Sequence, residues 1–590
     1  MNNLLQKLTA TKYWWIILLA IVAGVNLLAS LVHTRIDLTQ EKRYTLSNAT
    51  KNLLRSLDGP VTIDVFLEGE FPAGFRKLAN STREFLQEYK EVNQRNITIN
   101  FIDPLKNLDD STAAYVLDSI AYFYNISPYT LQAPGKVGDE MKQKLVLPGA
   151  VIHYRDSFPV QYRDGVVMEY KDTSVGVNLL EGMRSYGTQT EEMAALYNDV
   201  EATLEYKFGS AIEKVTTKTK PVVGYALGHG EGWGYNVDDA VRTLAQQYRF
   251  DTVNIRTAPF IPSFFNALVI LKPTQPFSDE DKLKIDQYLM RGGKIFWMVD
   301  NMYAEFDSLY KSGGFTAYDR GLNLEDMLFK YGVRLNQNLL QDMQSDKLPQ
   351  ITGEQGAGQQ QRLVDWPFFP ILNGTNHPIS KNLDGVRAMF PNTLDTITAP
   401  GIKKTFLLRS SANARVLPAP AIINFDFMQI APDIKTFTVK DTAVAVLLEG
   451  KFTSAFKNRT SRATQDSLRS LNVPYKESSD EPTQMVVVAD GDIAMNLYSQ
   501  MNGPLPMGTN LFTGYTYANK TFYNNVLEYL LNPSGILETR AKSYTLRLLD
   551  PVKVRDQKAT WQFVNIVVPV LLVVLAAFIY QYVRKRKYAA

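Results

Sequence analysis

The strongest constraint on this chain is a pair of apolar runs, one near each end. Tyr13 to Val32 and Phe563 to Tyr580 are almost unbroken in apolar residues. Each approaches the roughly 20 residues that a helix needs to cross a bilayer. The sequence therefore predicts spans at 13–32 and 563–583, short tails at 1–12 and 584–590, and a large body held against one membrane face. Lys7 and Lys12 precede the first run, and Arg584, Lys585, Arg586 and Lys587 follow the second. Basic residues favour the cytoplasmic side, and Trp14, Trp15, Trp561 and Tyr580 stand where interfacial aromatics belong. The expected placement is a bacterial inner membrane with both termini cytoplasmic and the body periplasmic. A cleaved signal peptide is the alternative for the first run, which is long for one and lacks a following A-x-A site.

Ala20 and Gly24 in the first run, and Ala576 and Ala577 in the second, would let helices pack closely in lipid. Simple tolerance of small residues accounts for them equally well. Pro569 is expected to kink the second span. Neither run contains a charged residue, so the chain alone makes a poor solute pathway.

Composition narrows the body. With 45% hydrophobic and 21% charged residues it is globular. A net charge of +3 gives no electrostatic support to a nucleic-acid partner. The absence of cysteine rules out disulfides, thiolate metal sites and a cysteine nucleophile, and fits an oxidising compartment. His33, His153, His229 and His377 are scattered, without zinc spacing. No phosphate-binding G-x-x-x-x-G-K-[ST] occurs. No metal or cofactor is expected.

The patterning is that of an α/β protein. After a connector at 33–59, in which Ser47 reads as a helix N-cap, strand Val61–Leu67, helix Gly74–Val92 and strand Ile97–Ile102 form a βαβ unit. Leu145–Tyr154 and Val160–Met168 suggest a hairpin around Arg155-Asp156-Ser157. These make a first α/β domain at 60–185. A linking helix at 186–218 carries Met193, Leu196, Val200, Leu204 and Phe208 at helical spacing. Strands at Val222–Leu227, Asp251–Ile255, Ala267–Leu271 and Lys294–Val299 alternate with helices Val237–Tyr248 and Asp279–Met290. Continuous apolar strands in such alternation predict a parallel, doubly wound sheet. It is expected over 219–309 and 484–535, completed by strand Met485–Ala489 and helix Thr521–Leu531. Residues 310–483 form an insert or third subdomain, whose polar stretch 353–362 is assigned no structure. Its Trp366-Pro367-Phe368-Phe369-Pro370 is a docking surface or a core plug. Segment 536–562 returns to the membrane. A weak echo links Val65 to Phe75 with Val446 to Phe456, by chance or because both are strand-to-helix corners.

Ligands of open α/β sheets bind at the carboxyl ends of strands. Those ends gather Gly228, His229, Gly230, Glu231, Trp233 and Tyr235 in one loop, then Lys272, then Asp300 and Asn301, with Asp490 and Asp492 as a fourth group. The spacing G-x-G-x-G-x-G is not the dinucleotide pattern. The loop reads as a tight turn bonded by His229 and Glu231, or as a ligand edge where Trp233 and Tyr235 stack on a sugar. Asp490 and Asp492 read as turn and cap residues or as a carboxylate pair. His377 shows no partner and reads as structural.

In their order, Lys42-Arg43-Tyr44-Thr45-Leu46-Ser47, Val61 to Leu67, Gly228-His229-Gly230-Glu231, Val446 to Phe452 and Ala489-Asp490-Gly491-Asp492, set between two spans, resemble the GldG family. These are gliding-motility-associated ABC transporter accessory proteins of Bacteroidota. The resemblance implies a GldF-like permease and a GldA-like ATPase as partners. It also implies a body similar to a domain of intraflagellar-transport proteins, with a fold like class I glutamine amidotransferases. The cysteine of those enzymes is missing, so their activity is not carried over. The expectation is a non-catalytic transporter subunit. The alternative is a membrane-anchored protein that binds or hydrolyses envelope polysaccharide, and a third reading is a purely structural element, either a scaffold for motility-machinery proteins or a secretion accessory.

Overall fold

A computed structural model describes residues 45–541 save 72, 134–141, 163–164, 183–189, 353–359, 426–432, 500–502 and 533, together with 551–588, 19–20 and 22–24. The chain divides into two units, Met1–Ser543 and Tyr544–Ala590.

The first unit is mixed α/β and opens with α1 (Asn48–Arg55), whose N-cap Ser47 accepts a hydrogen bond from the Thr50 amide. Strand β1 (Val61–Val65) buries alternate residues, so Val61, Ile63 and Val65 face one core. Helix α2 (Ala73–Val92) crosses to β2 (Ile97–Phe101), which pairs parallel with β1. After α3 (Asp110–Tyr124), strands β3 (Gly149–Tyr162) and β4 (Gly165–Asn178) form a long hairpin, giving the order β2-β1-β3-β4. This corrects the expected hairpin at Arg155-Asp156-Ser157. Those residues stay in the strand because each has a cross-strand partner, Arg155 opposite Asp172 with Nε 2.8 Å from Oδ1.

Helix α4 (Thr190–Thr216) serves two cores. Val200, Leu204, Phe208 and Ile212 pack with β1 and α2, while Tyr206 belongs to the larger core. Fully burying an aliphatic or aromatic side chain of this kind contributes about 1.5–3 kcal/mol.

The larger core surrounds a ten-stranded sheet. Its parallel part is built from β5 (Val222–Leu227), α5 (Asp238–Gln247), β6 (Arg249–Asn254), β7 (Ala267–Leu271), α6 (Asp279–Met290) and β8 (Lys294–Met298). Every residue of β7 is buried, as a parallel strand covered on both faces requires. Ser278 caps α6 by accepting the Asp281 amide. After short helices α7 (Phe306–Ser312) and α8 (Glu325–Tyr331), residues 310–483 supply strands to the same sheet. These are β9 (Ser345–Thr352), β10 (Gln360–Gly374), β11 (Ile402–Arg409) and β12 (Ala443–Gly450). Helix α9 (Arg462–Ser470) then leads to β13 (Thr483–Val488), and α10 (Asn519–Leu531) follows. Nine of the strands run in the order β9-β10-β11-β12-β13-β8-β7-β5-β6, and the tenth, the short Val386–Arg387, pairs with β10 off this path. β13 is parallel to β8 and antiparallel to β12, so it joins the two halves.

Gln360, Gln361 and Arg362 were expected in a loop but begin β10, opposite Thr352, Ile351 and Gln350. Backbone pairing there overrides the polar composition. Trp366, Phe368 and Phe369 are fully buried in a satellite core with Leu309, Phe390 and Ile423, so that segment is a core plug. His377 is half-buried, its Nδ1 accepts the Ile379 amide at 3.3 Å, and its ring meets Tyr529 edge-on. Burial lowers its pKa.

The second unit is one helix, α11 (Pro551–Tyr588). Its stretch Asp556–Arg586 is long and apolar enough to cross a membrane, and Leu571, Leu572, Val573 and Phe578 are exposed on it. The helix is continuous through Pro569, and Ala576 and Ala577 lie within it. Of the first apolar run, Ala20 and Gly24 are helical and most other residues lie outside the described ones. The expected return strand at Ser543–Leu549 also lies outside them.

Candidate functional site

The carboxyl ends of β5, β7, β8 and β13 carry two side-chain networks. The first lies in the loop after β5. The His229 amide donates to Glu231 Oε2 at 2.6 Å, and the His229 carbonyl accepts from the Thr274 and Gln275 amides at 2.8 and 2.9 Å. Gly230 has φ +76°, and a Cβ there would stand 2.1 Å from Thr274 Oγ1, so the turn requires glycine. His229 Nε2 lies 3.2 Å from Asp281 Oδ2, which Ser278 also holds. The imidazole stacks on Phe277 with ring centres 3.7 Å apart. His229 Nδ1 and Glu231 Oε1 face each other at 3.6 Å, beyond hydrogen-bond reach. Both side chains are fully buried. Trp233 and Tyr235, by contrast, are exposed, and Tyr235 lies 5.6 Å from the ring of Tyr498. The loop therefore has a closed polar interior and an aromatic outer face.

The second network centres on Lys272, directly after β7 and at φ +46°. Its Nζ lies 2.5 Å from Asp492 Oδ1, 3.1 Å from Glu305 Oε2 and 3.2 Å from Asp300 Oδ2. Arg320 adds a second cation, 2.6 Å from Glu305 Oε1. Asp300 Oδ1 accepts the Gly491 amide. Asp490 accepts the Asp492 amide on Oδ1 and the Met389 amide on Oδ2, both at 2.7 Å. Asn301 gives its amide to Asn392 Oδ1 at 2.9 Å. The Asp490 carboxyl thus ties the end of β13 to the segment carrying Met389.

Burial is the main influence on these acids. It pushes Asp490 well above the usual carboxylate range, with Asp300 and Asp492 adding to the effect. Asp492 rises to about 7, raised by burial and by Asp300 and Glu305 against the pull of Lys272. Glu305 behaves oppositely: burial raises it, but Lys272 and Arg320 together hold it low. Lys272 stays firmly charged, because Asp492, Asp300 and Glu305 outweigh its burial.

Asp300, Asp490 and Asp492 each offer an oxygen within 4.8 Å of the others, the donor type of a hard divalent cation. The Lys272 ammonium already stands at two of those three carboxylates. The residues fit an internal cation better than a metal.

The structure thus brings Lys272, Asp300, Asp490 and Asp492 together, and separately His229 with Glu231. Sequence reasoning missed Glu305, Arg320 and Asp281. None lies at the carboxyl end of a strand of the parallel sheet, and only Asp281, three residues after a capping serine, carried a local signal.

Residues 220–526, more than half of the 590, match the family model described as an ABC-type uncharacterized transport system, of which this is the auxiliary component. The chain belongs to that family. The matched segment of this transport auxiliary protein runs from the start of β5 into α10 and so contains the sheet and both networks. Residues 40–153 match a second model, a domain of unknown function (DUF7088). An uncharacterized protein of Borreliella burgdorferi is 20% identical over 450 residues, covering 75% of this chain and 78% of that protein. Among solved structures, the mmIFT52 N-terminal domain is similar over 53% of this chain and 97% of its own, at 10% identity and a TM-score of 0.29.

Proposed function

We propose that this chain is a non-catalytic, membrane-anchored subunit of an ABC-type transport complex. Its two apolar runs would pack on the permease, and its α/β body would work on the periplasmic side as a binding or coupling module. The family match over the whole parallel sheet carries this reading. The exposed apolar α11 supports the anchoring. In the finer form, a GldF-like permease and a GldA-like ATPase are the partners, gliding motility is the process, and the body is related to class I glutamine amidotransferases.

The state of the strand-end groups favours a non-catalytic role. Both oxygens of Asp490 are occupied by backbone amides, and His229 is stacked and closed off. A general acid or base needs hydrogen-bond reach to a substrate proton. The exposed Trp233 and Tyr235 keep glycan binding as the second reading, since aromatic faces suit sugar rings. Purification of the tagged full-length protein in mild detergent, with mass spectrometry of what accompanies it, tests the assignment. A permease and an ATPase are expected. Recovery of the chain alone would sink the transporter reading and favour the glycan one.

A further inference from the structure

One cavity of the first unit lies away from the strand ends. It is a cleft of about 570 Å³, walled by the end of α3, β4, α4, α5 and α10, and so set between the two cores. A second hollow of about 360 Å³ shares Tyr122, Phe123, Arg242 and Lys520 with it. Volumes of this order suit a small organic ligand.

The lining holds six lysines and arginines and one carboxylate, Glu181; Lys214 and Lys520 are paired with Glu528 and Asp239 behind it, at 3.3 and 2.8 Å. Two of the cations are deeply placed. Lys207 gives its ammonium protons to the carbonyls of Asn178, Leu179 and Glu181 at 2.8, 2.8 and 3.0 Å. Arg540 is 1% exposed, donates to the carbonyls of Lys381 and Asn382, and lies over the Tyr206 ring. These charges are met by carbonyl dipoles and a ring, and the carboxylates Glu181 and Glu528 act on them at longer range. Burial, and the neighbouring Arg540 charge, bring Lys207 down to about 7. Buried cations ordinarily stand against an anion. Lys220 and Arg242 lie at the solvent side, Lys220 on the Gln246 carbonyl and Arg242 on Asp238.

A second observation is independent of charge. Three lining atoms, Thr243 Oγ1, Gln247 Oε1 and Asn524 Oδ1, are buried without a hydrogen-bond partner. Thr243 is 2% exposed. A buried polar atom left unpaired costs about 1–3 kcal/mol. Exposed Tyr122 and Phe123 give the rim an apolar surface.

We propose that this cleft binds a small organic oxyanion, a carboxylate or a phosphate ester. Its charge would be met by Lys207, Lys220, Arg242 and Arg540, and its remaining polar groups by Thr243, Gln247 and Asn524. The site is separate from the strand-end networks and does not depend on the membrane partners.

Calorimetric titration of the full-length protein in detergent at pH 7 and low salt tests this, with citrate, glycerol 3-phosphate and neutral glycerol as probes. Binding of citrate points to a carboxylate ligand and binding of glycerol 3-phosphate to a phosphate ester, while glycerol stays silent. The double variant Lys220→Ala/Arg242→Ala should weaken binding about tenfold or more, because charge-assisted bonds are lost. Both side chains are exposed, so its unfolding midpoint should not move. Thr243→Val should weaken binding several-fold. No binding of either anion above glycerol, or variants that bind like the parent, overturns the proposal. Co-purification of the permease with the double variant is expected to be unchanged, which separates this test from that of the transport assignment.

Discussion

Lys272 pairs with three carboxylates, Asp300, Glu305 and Asp492, with help from one arginine, and that imbalance has a measurable consequence. Burial raises the Asp492 carboxyl from an ordinary value of 3.8 to about 7 in the fold. The folded state therefore keeps a proton that the unfolded chain releases. The associated stability is full below about pH 4 and is lost as pH rises through about 7. Asp492→Asn removes the titration, and Lys272 keeps Asp300 and Glu305. Urea unfolding of the full-length protein between pH 5 and 8 should show a decline in the parent of about 1–3 kcal/mol that is smaller in the variant. An unchanged slope would assign the titration to another group.

At the scale of elements, the echo between the two halves of the chain has a structural counterpart. Gly69 and Gly450 occupy the same place in the repeated motif, and both have positive φ, +115° and +145°. The phenylalanine two residues on, Phe71 or Phe452, is buried in each. At Gly450 an added Cβ would stand 2.0 Å from the Gly401 carbonyl oxygen, where β12 meets the turn before β11. Gly450→Ala should cost about 2–4 kcal/mol and lower the thermal midpoint. Thermal unfolding monitored by circular dichroism checks it, with an unmoved midpoint the result that would refute the strain. The echo was visible in the sequence because glycine and phenylalanine at fixed spacing leave a residue signature. The parallel strands were legible for a related reason: Ala267–Leu271 must be apolar throughout when both faces are covered. β9 to β12 were not, since polar residues such as Gln360 and Gln361 are tolerated in a ladder held by backbone bonds. The strand-end residues could be named in sequence, but Glu305 and Arg320 reach Lys272 from a helix cap and a loop after a strand. The cleft between the cores draws on several separated segments and had no linear pattern to find.

At the scale of the whole molecule, the proposed anchoring by two spans makes a graded prediction. Removal of 551–590 should leave the protein in the membrane fraction through its first apolar run. A chain limited to 45–541 should move to the soluble fraction, as ultracentrifugation after alkaline extraction would show. Release by the first truncation alone would mean that α11 is the sole anchor. The position of β13 bears on how such a body is made. It sits mid-sheet between β8 and β12, yet it is the last strand of that sheet to be synthesised. Until it emerges, β8 presents an open apolar edge, Ile295 to Met298, to whatever the growing chain meets. Pairing across such a sequence distance is slow. The strand that closes the fold is thus a timing device: nearly the entire body must be made before its centre can set.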